Sequence, residues 1–165
     1  MIAATTAEDF TGPAPRKPRG TKQDWGTPPE FIAAVQARFG NIDIDLAARD
    51  DNAKAPRWIT PEINSLAVDW SQFAGVGYLN PPFEDIEPWA KKCAESASPR
   101  FRIVCLWLAS VDALWFDRWV LPHAVSCGVS RMQFVGADWG YPKSLMVSVF
   151  GLGASGFGPL WRWKT

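Results

Sequence analysis

A mostly parallel α/β sheet with an antiparallel C-terminal hairpin strand at its edge is the fold class this sequence predicts. Three observations predict it. Short apolar runs alternate with segments of helical periodicity from Asp24 to Ala124, the pattern of strand–helix crossovers. Phe101 to Leu108 (FRIVCLWL) is a continuous apolar run, as expected of a strand buried on both faces. Gly128 to Val135 and Ser144 to Phe150 are two further runs, joined by the turn-rich link Gly136 to Lys143, which suits an antiparallel hairpin.

Residues 1–22 are rich in Ala, Thr, Pro and Gly with no apolar period, so they read as a flexible arm made basic by Arg16, Lys17, Arg19 and Lys22. The arm is either a solvated tail or a phosphate-contacting segment. The ordered domain is expected over 23–150, with a tail over 151–165 that is glycine-rich and then aromatic and basic (Trp161-Arg162-Trp163-Lys164). The first helix is expected to be capped by Thr27, with Pro28 at its first position and Glu30 completing a capping box. Phe31, Ala34, Val35 and Phe39 recur at helical spacing, and Gly40 stops the helix. Ile42 to Leu46 alternates apolar and acidic residues and reads as a short strand ending at Ala47-Ala48. Residues 49–65 are irregular, with Arg57 to Thr60 a minor strand or helix entry and Ser65 to Trp70 another short element. Val76 to Leu79 is a strand. A helix over Ile86 to Ala97 places Ile86, Trp89, Ala90 and Cys93 on one face, and a second helix is expected over Val111 to Ala124.

At 165 residues, 47% of them hydrophobic, the chain suffices for one globular domain. Its formal net charge of +0 excludes a global field that would attract nucleic acid, so any such affinity must come from local patches. Cys93, Cys105 and Cys127 are odd in number and lack metal-ligand spacing, which predicts no metal centre and fits a reducing cytoplasm. No apolar run approaches transmembrane length and the amino terminus lacks a signal-peptide core, so no membrane role is expected. His123 is the sole histidine, beside Pro122 and without a partner motif, and reads as a surface or cap residue. Trp107, Trp115 and Trp119 stand at core spacings.

Asn80-Pro81-Pro82-Phe83, at the carboxyl end of the Val76 to Leu79 strand, carries the chemistry. The two prolines lack N–H donors and have fixed φ, so the segment is stiff and rich in acceptors. An amide oxygen, a backbone carbonyl and a flat ring suit a planar group bearing an exocyclic amine: two acceptors for its N–H bonds and a surface to stack on. This combination points to methyl transfer onto an amino nitrogen. An ordinary Asn-Pro turn with a core Phe is the competing structural reading.

Ordered fragments from Asp24 to Phe150 add a resemblance. They are Trp25-x-Thr27-Pro28, Asp45-Leu46-Ala47-Ala48 with Asn52-Ala53, Leu66-x-x-x-Trp70, Asn80-Pro81-Pro82-Phe83 with Trp89, and Arg131-x-x-Phe134. Together they resemble the phage-type Dam DNA N6-adenine methyltransferases. The resemblance implies a reduced Rossmann-like methyltransferase fold, S-adenosylmethionine as methyl donor and the exocyclic amine of adenine in DNA as acceptor. It implies that Asn80, Pro81, Pro82 and Phe83 hold the target base. Trp25, Thr27, Pro28, Asp45, Ala47 and Asn64 are the corresponding cofactor candidates, with Asp45 preferred over Asp43 because it sits at the strand's edge. The link residues Trp139, Tyr141 and Lys143, with Arg131, are the nucleic-acid candidates. The chain departs from the family in Phe83 where Tyr is common, in Asn64 where an acidic residue is expected, and in Ala47-Ala48 where larger methyltransferases carry a glycine-rich loop. Asn-Pro-Pro-aromatic also serves enzymes that modify protein glutamine amides or RNA guanine amines. A non-catalytic nucleic-acid-binding relative of the fold is the remaining alternative.

Overall fold

The computed structural model describes residues 26–164, so the basic arm over 1–22 and Trp25 lie outside the described residues. Six strands form one sheet: β1 (Ile44–Asp45), β2 (Gly75–Leu79), β3 (Phe101–Leu108), β4 (Ala124–Gly128), β5 (Leu145–Phe150) and β6 (Gly156–Phe157). Their spatial order is β1-β2-β3-β5-β4-β6. The pairs β1–β2, β2–β3 and β4–β6 are parallel, and β5 runs antiparallel to both neighbours.

The sheet is thus mixed and mostly parallel, as the sequence predicts. The antiparallel strand, however, is internal and not at the edge. The crossover from β3 to β4 lands one strand spacing away, and the returning β5 fills the gap between them. All six residues of β5 are buried, a pattern that an exposed edge would not tolerate.

Two expected elements shift. The strand expected from Gly128 to Val135 ends at Gly128, and its pairing residues begin at Ala124, within the segment expected to be helical. The helix expected over Val111 to Ala124 shortens to a π-helical turn over Phe116–Val120, closed by Leu121 N–H donating to the Phe116 carbonyl. Pro122 supplies no further N–H donor, so the turn does not propagate. Phe116 and Val120 are its buried residues, whereas Leu114 is 76% exposed.

Two full helices flank the sheet. Helix α1 (Pro29–Phe39) and helix α2 (Glu87–Ser96) bury opposite faces of it. The split follows strand periodicity. Phe101, Ile103, Cys105 and Trp107 of β3 join the core that holds Ala90 and Cys93 of α2, whereas Val104 and Leu106 join the core that holds Phe31 and Val35 of α1. Across β3, β5 and β4 runs a buried polar chain in which Trp107 Nε1 donates to Ser148 Oγ at 3.0 Å and Ser148 meets Ser126 at 2.7 Å. It satisfies groups that would otherwise be orphaned and pins the register of the internal antiparallel strand.

Beyond β1 the sheet gains a further bridge. Ile59 N–H donates to Asp45 O and Asp45 N–H to Arg57 O, both at 2.9 Å, so the minor strand expected near Arg57 lies against β1. Beyond β4, β6 is followed by Trp161, which pairs with Gly128 and Ser130.

The strand that carries the site is sensitive to volume at Gly77. A Cβ there would lie 2.7 Å from Phe101 Cζ and 3.1 Å from Leu46 Cδ1, both in the closed core. Gly77→Ala is expected to lower stability by about 1–3 kcal/mol through overpacking, read as a lower urea midpoint at unchanged slope.

Candidate active site

The carboxyl ends of β1 and β2 open onto a cleft of about 1050 Å³. Ligands of open α/β sheets bind at such ends, because the loops that leave the strands there diverge. Three chain segments build its walls.

The first follows β2. Tyr78 and Asn80, two residues apart, project to the face of α1, and Leu79 projects to the face of α2. Asn80 Nδ2 donates to Thr27 Oγ1 at 3.2 Å. Thr27 Oγ1 also meets the Tyr78 hydroxyl at 2.9 Å. Burial raises the Tyr78 phenol far above its usual pKa, against the lowering effect of the Thr27 bond, so it remains a neutral partner. With Nδ2 engaged, Asn80 offers Oδ1 to the cleft. Phe83 lines the same wall, its ring meeting Tyr141 edge-on at 6.1 Å between centroids.

The second segment follows β1. Asp45 is 3% exposed, and it accepts from Ala47 N–H at 3.3 Å and from Lys54 N–H at 3.0 Å. Its carboxylate therefore clips both ends of the 47–54 loop, where a glycine-rich loop is absent. Burial pushes its pKa up to about 6, opposed by those two N–H groups and by the Lys54 charge. Asp43 does other work: its Oδ2 accepts from Val76 N–H at 2.8 Å, at the start of β2.

The third segment is the link after β4. Met132 and Phe134 are buried, Tyr141 N–H donates to Met132 O at 2.7 Å, and Tyr141 packs edge-on to Phe134. Trp139 stands 75% exposed at the cleft's rim, with Lys143 beside it. Gly26 bridges to Val135, so the amino-terminal end of the described chain is tied to this link.

The structure gathers most of the sequence-predicted residues around one cleft. Asn80, Pro81, Pro82 and Phe83 line it, as do Thr27, Asp45, Ala47 and Asn64, and so do Trp139, Tyr141 and Lys143. Pro28 does not: it is buried at the start of α1, where its carbonyl accepts from Phe31 and Ile32. Arg131 lines a separate hollow of about 150 Å³, shared with Lys143. Thr27 makes no cap, because no side-chain cap bond forms at α1 and its hydroxyl is engaged elsewhere; the expected capping box with Glu30 is likewise absent. Asp69 and Trp70 sit off the cleft, Asp69 capping Ser71 and Trp70 donating to Ser65 O. Trp89 of α2 and Tyr78 are cleft residues that sequence reasoning did not assign to the cofactor or base. A Tyr inside a fully apolar strand was the available signal, since its hydroxyl needs a partner when buried. Among the described residues no group of three His, Cys, Asp or Glu is placed to hold a metal, and no helix is long and apolar enough to cross a membrane.

A model of the DNA N-6-adenine-methyltransferase (Dam) family matches residues 15–146. A DNA N-6-adenine-methyltransferase of Escherichia phage T1 is 31% identical over 99 residues, which is 60% of this chain and 41% of that protein. A protein of the same description from Haemophilus phage HP1 is 28% identical over 127 residues, 74% of this chain and 72% of that protein. The match thus spans under half the length of the phage T1 relative and nearly three quarters of the phage HP1 one.

Proposed function

This chain belongs to the DNA N-6-adenine-methyltransferase (Dam) family, and from that membership we propose that it transfers a methyl group from S-adenosylmethionine to the exocyclic amine of adenine in DNA. The sheet is read accordingly as a reduced Rossmann-like methyltransferase fold. One observation carries the assignment: Asn80 sits at the end of β2 on a cleft large enough for a nucleoside-sized cofactor and a base, with its amide nitrogen engaged and its oxygen presented.

The cleft suits the cofactor chemically. Among the described residues Asp45 has no salt-bridge partner, and it is a buried carboxylate in a cleft wall, the kind of group that pairs with an amino-acid ammonium or ribose hydroxyls. When bound, S-adenosylmethionine supplies an electrophilic methyl group. The residues of this chain do the rest by placement. Adenine's amine is a weak nucleophile because its lone pair is delocalised into the ring. Asn80 Oδ1 and the Pro81 carbonyl would accept its two N–H bonds, which favours a pyramidal nitrogen whose lone pair is free to form the new N–C bond as the methyl's bond to the sulfonium sulfur breaks and the sulfur departs as a neutral thioether. Phe83 stacks on the base and holds its plane. Alignment and fixed dipoles supply the rate without a strong general base, and the amine's surplus proton leaves after the bond has formed.

A base within duplex DNA has to leave the stack to reach this cleft. The exposure of Trp139 and the position of Trp139 and Lys143 on the cleft's lining support reading them as the residues that meet the strand, one by stacking and one by phosphate contact. Trp139→Ala and Lys143→Ala are each expected to weaken DNA binding about tenfold by fluorescence anisotropy, with cofactor affinity unchanged.

The function is tested by incubating the protein with labelled S-adenosylmethionine and DNA, RNA or a protein extract in parallel, then mapping the modified atom. Label at adenine N6 of DNA is the expected result. Label on glutamine amides or RNA guanine alone would refute it, as would no label with no thermal shift by the cofactor.

A further inference from the structure

Thr27 is 2% exposed, and its Oγ1 lies within hydrogen-bond reach of both Asn80 Nδ2 and Tyr78 Oη. The chain around it is held on both sides. Gly26 accepts from Val135 N–H at 2.9 Å, and Pro28 begins α1 by accepting from Phe31 and Ile32. Tyr78 is 1% exposed and fixed within β2. The threonine hydroxyl is therefore held in place beside a side chain whose orientation decides the chemistry, and with its own proton given to Tyr78 Oη it can only accept from the Asn80 amide.

An asparagine amide has nearly the same shape when turned by 180°, yet only one orientation presents an acceptor to an incoming amine. Turned the other way, it sets N–H donors against N–H donors. Resting on the reading of Asn80 as the amine's acceptor, we propose that Thr27, itself anchored by Tyr78, is a positioning residue that sets the rotation of the Asn80 amide so that Oδ1 faces the base. The family resemblance implies a cofactor contact for this segment. The observed bonds of Thr27 run instead to the acceptor side of the cleft.

Three variants separate these roles. Thr27→Val keeps the shape and removes the acceptor, Thr27→Ser keeps the hydroxyl, and Tyr78→Phe removes only the anchor. For Thr27→Val the single-turnover rate at saturating DNA and cofactor is expected to fall about 10- to 100-fold, while the Kd for the demethylated cofactor and the KM for DNA stay within about twofold. Thr27→Ser is expected within about threefold of the parent rate, and Tyr78→Phe about three- to tenfold below it. A readout independent of turnover is the hydrogen exchange of the Asn80 side-chain NH2 in the asparagine-labelled protein. It is expected to be protected in the parent and at least about tenfold faster in Thr27→Val, with melting curves confirming that each variant folds. A weakened cofactor Kd with an unchanged rate would make Thr27 a cofactor ligand and overturn the proposal. Unchanged exchange would overturn it too. If the parent protein modifies no DNA, the reading of its activity fails, and the amide exchange still decides the role of Thr27.

Discussion

Asn80→Ala is expected to lower the rate of methyl transfer by about 10³-fold while the demethylated cofactor binds with its parental affinity. The effect is large because two losses combine. Removing one preorganised group aimed at the reacting centre typically costs 10²–10³ in rate, roughly 3–4 kcal/mol. Here the same truncation also leaves Thr27 Oγ1 without its amide donor, so the wall beside the base loosens. Cofactor affinity should hold because the proposed cofactor carboxylate stands on a different strand end, at Asp45. Rapid-quench measurement of one turnover, paired with calorimetry of cofactor binding, separates the two quantities. Turnover within threefold of the parent would remove Asn80 from the mechanism.

The second large effect is at Asp45. Asp45→Ala is expected to weaken cofactor binding about 100-fold, near 2.7 kcal/mol, because it removes a buried charge partner and leaves the N–H groups of Ala47 and Lys54 unpaired. The pH dependence provides an orthogonal check. The carboxyl's pKa rises from 3.8 to about 6 in the folded protein, so ionised Asp45 costs stability, and that cost grows as pH rises from about 4 to 6. The gap corresponds to about 3 kcal/mol at neutral pH. A cationic ligand offsets this penalty only where the carboxylate is charged. Cofactor affinity should therefore be full above pH 7 and fall up to about tenfold per unit below pH 6, with the ligand-induced rise in melting temperature shrinking in parallel. An affinity that is flat between pH 5 and 7.5 would exclude Asp45 as the partner of a cofactor cation.

Strand content was legible where burial on both faces writes an unbroken apolar run, as in Phe101 to Leu108, which matches β3 end to end. Helix α2 was legible to within a residue at each end, because Ile86, Ala90 and Cys93 keep a helical period. The segment after Leu108 was not. Leu114, Trp115, Trp119 and Val120 keep that period too, yet their segment forms little more than one π turn, because closure against β4 and Pro122 overrides local preference. The internal place of β5 was invisible because strand order depends on where a crossover lands, and no local pattern records that. The ring of residues around the cleft was largely readable from strand ends and from the family fragments. The partner of Thr27 was not: an N-terminal Ser or Thr before a helix reads locally as a cap, and only the tertiary fold brings Tyr78 and Asn80, 51 and 53 residues away, to its hydroxyl.

The packing of Trp161 and Trp163 bears on the order in which the chain folds. Phe31 of α1 meets both rings at 5.5 and 5.1 Å, Phe39 meets Trp161 at 5.7 Å, and Trp163 Nε1 donates to Ser130 O. Helix α1 is thus completed by rings that lie far along the chain from it. Until these rings dock, α1 lacks part of the surface it buries, and the Gly26-Thr27 segment before it has only one fixed end, its bridge to Val135. Folding of the cleft wall should accordingly be slow for a chain of this size, since its closing contacts are among those of longest sequence separation.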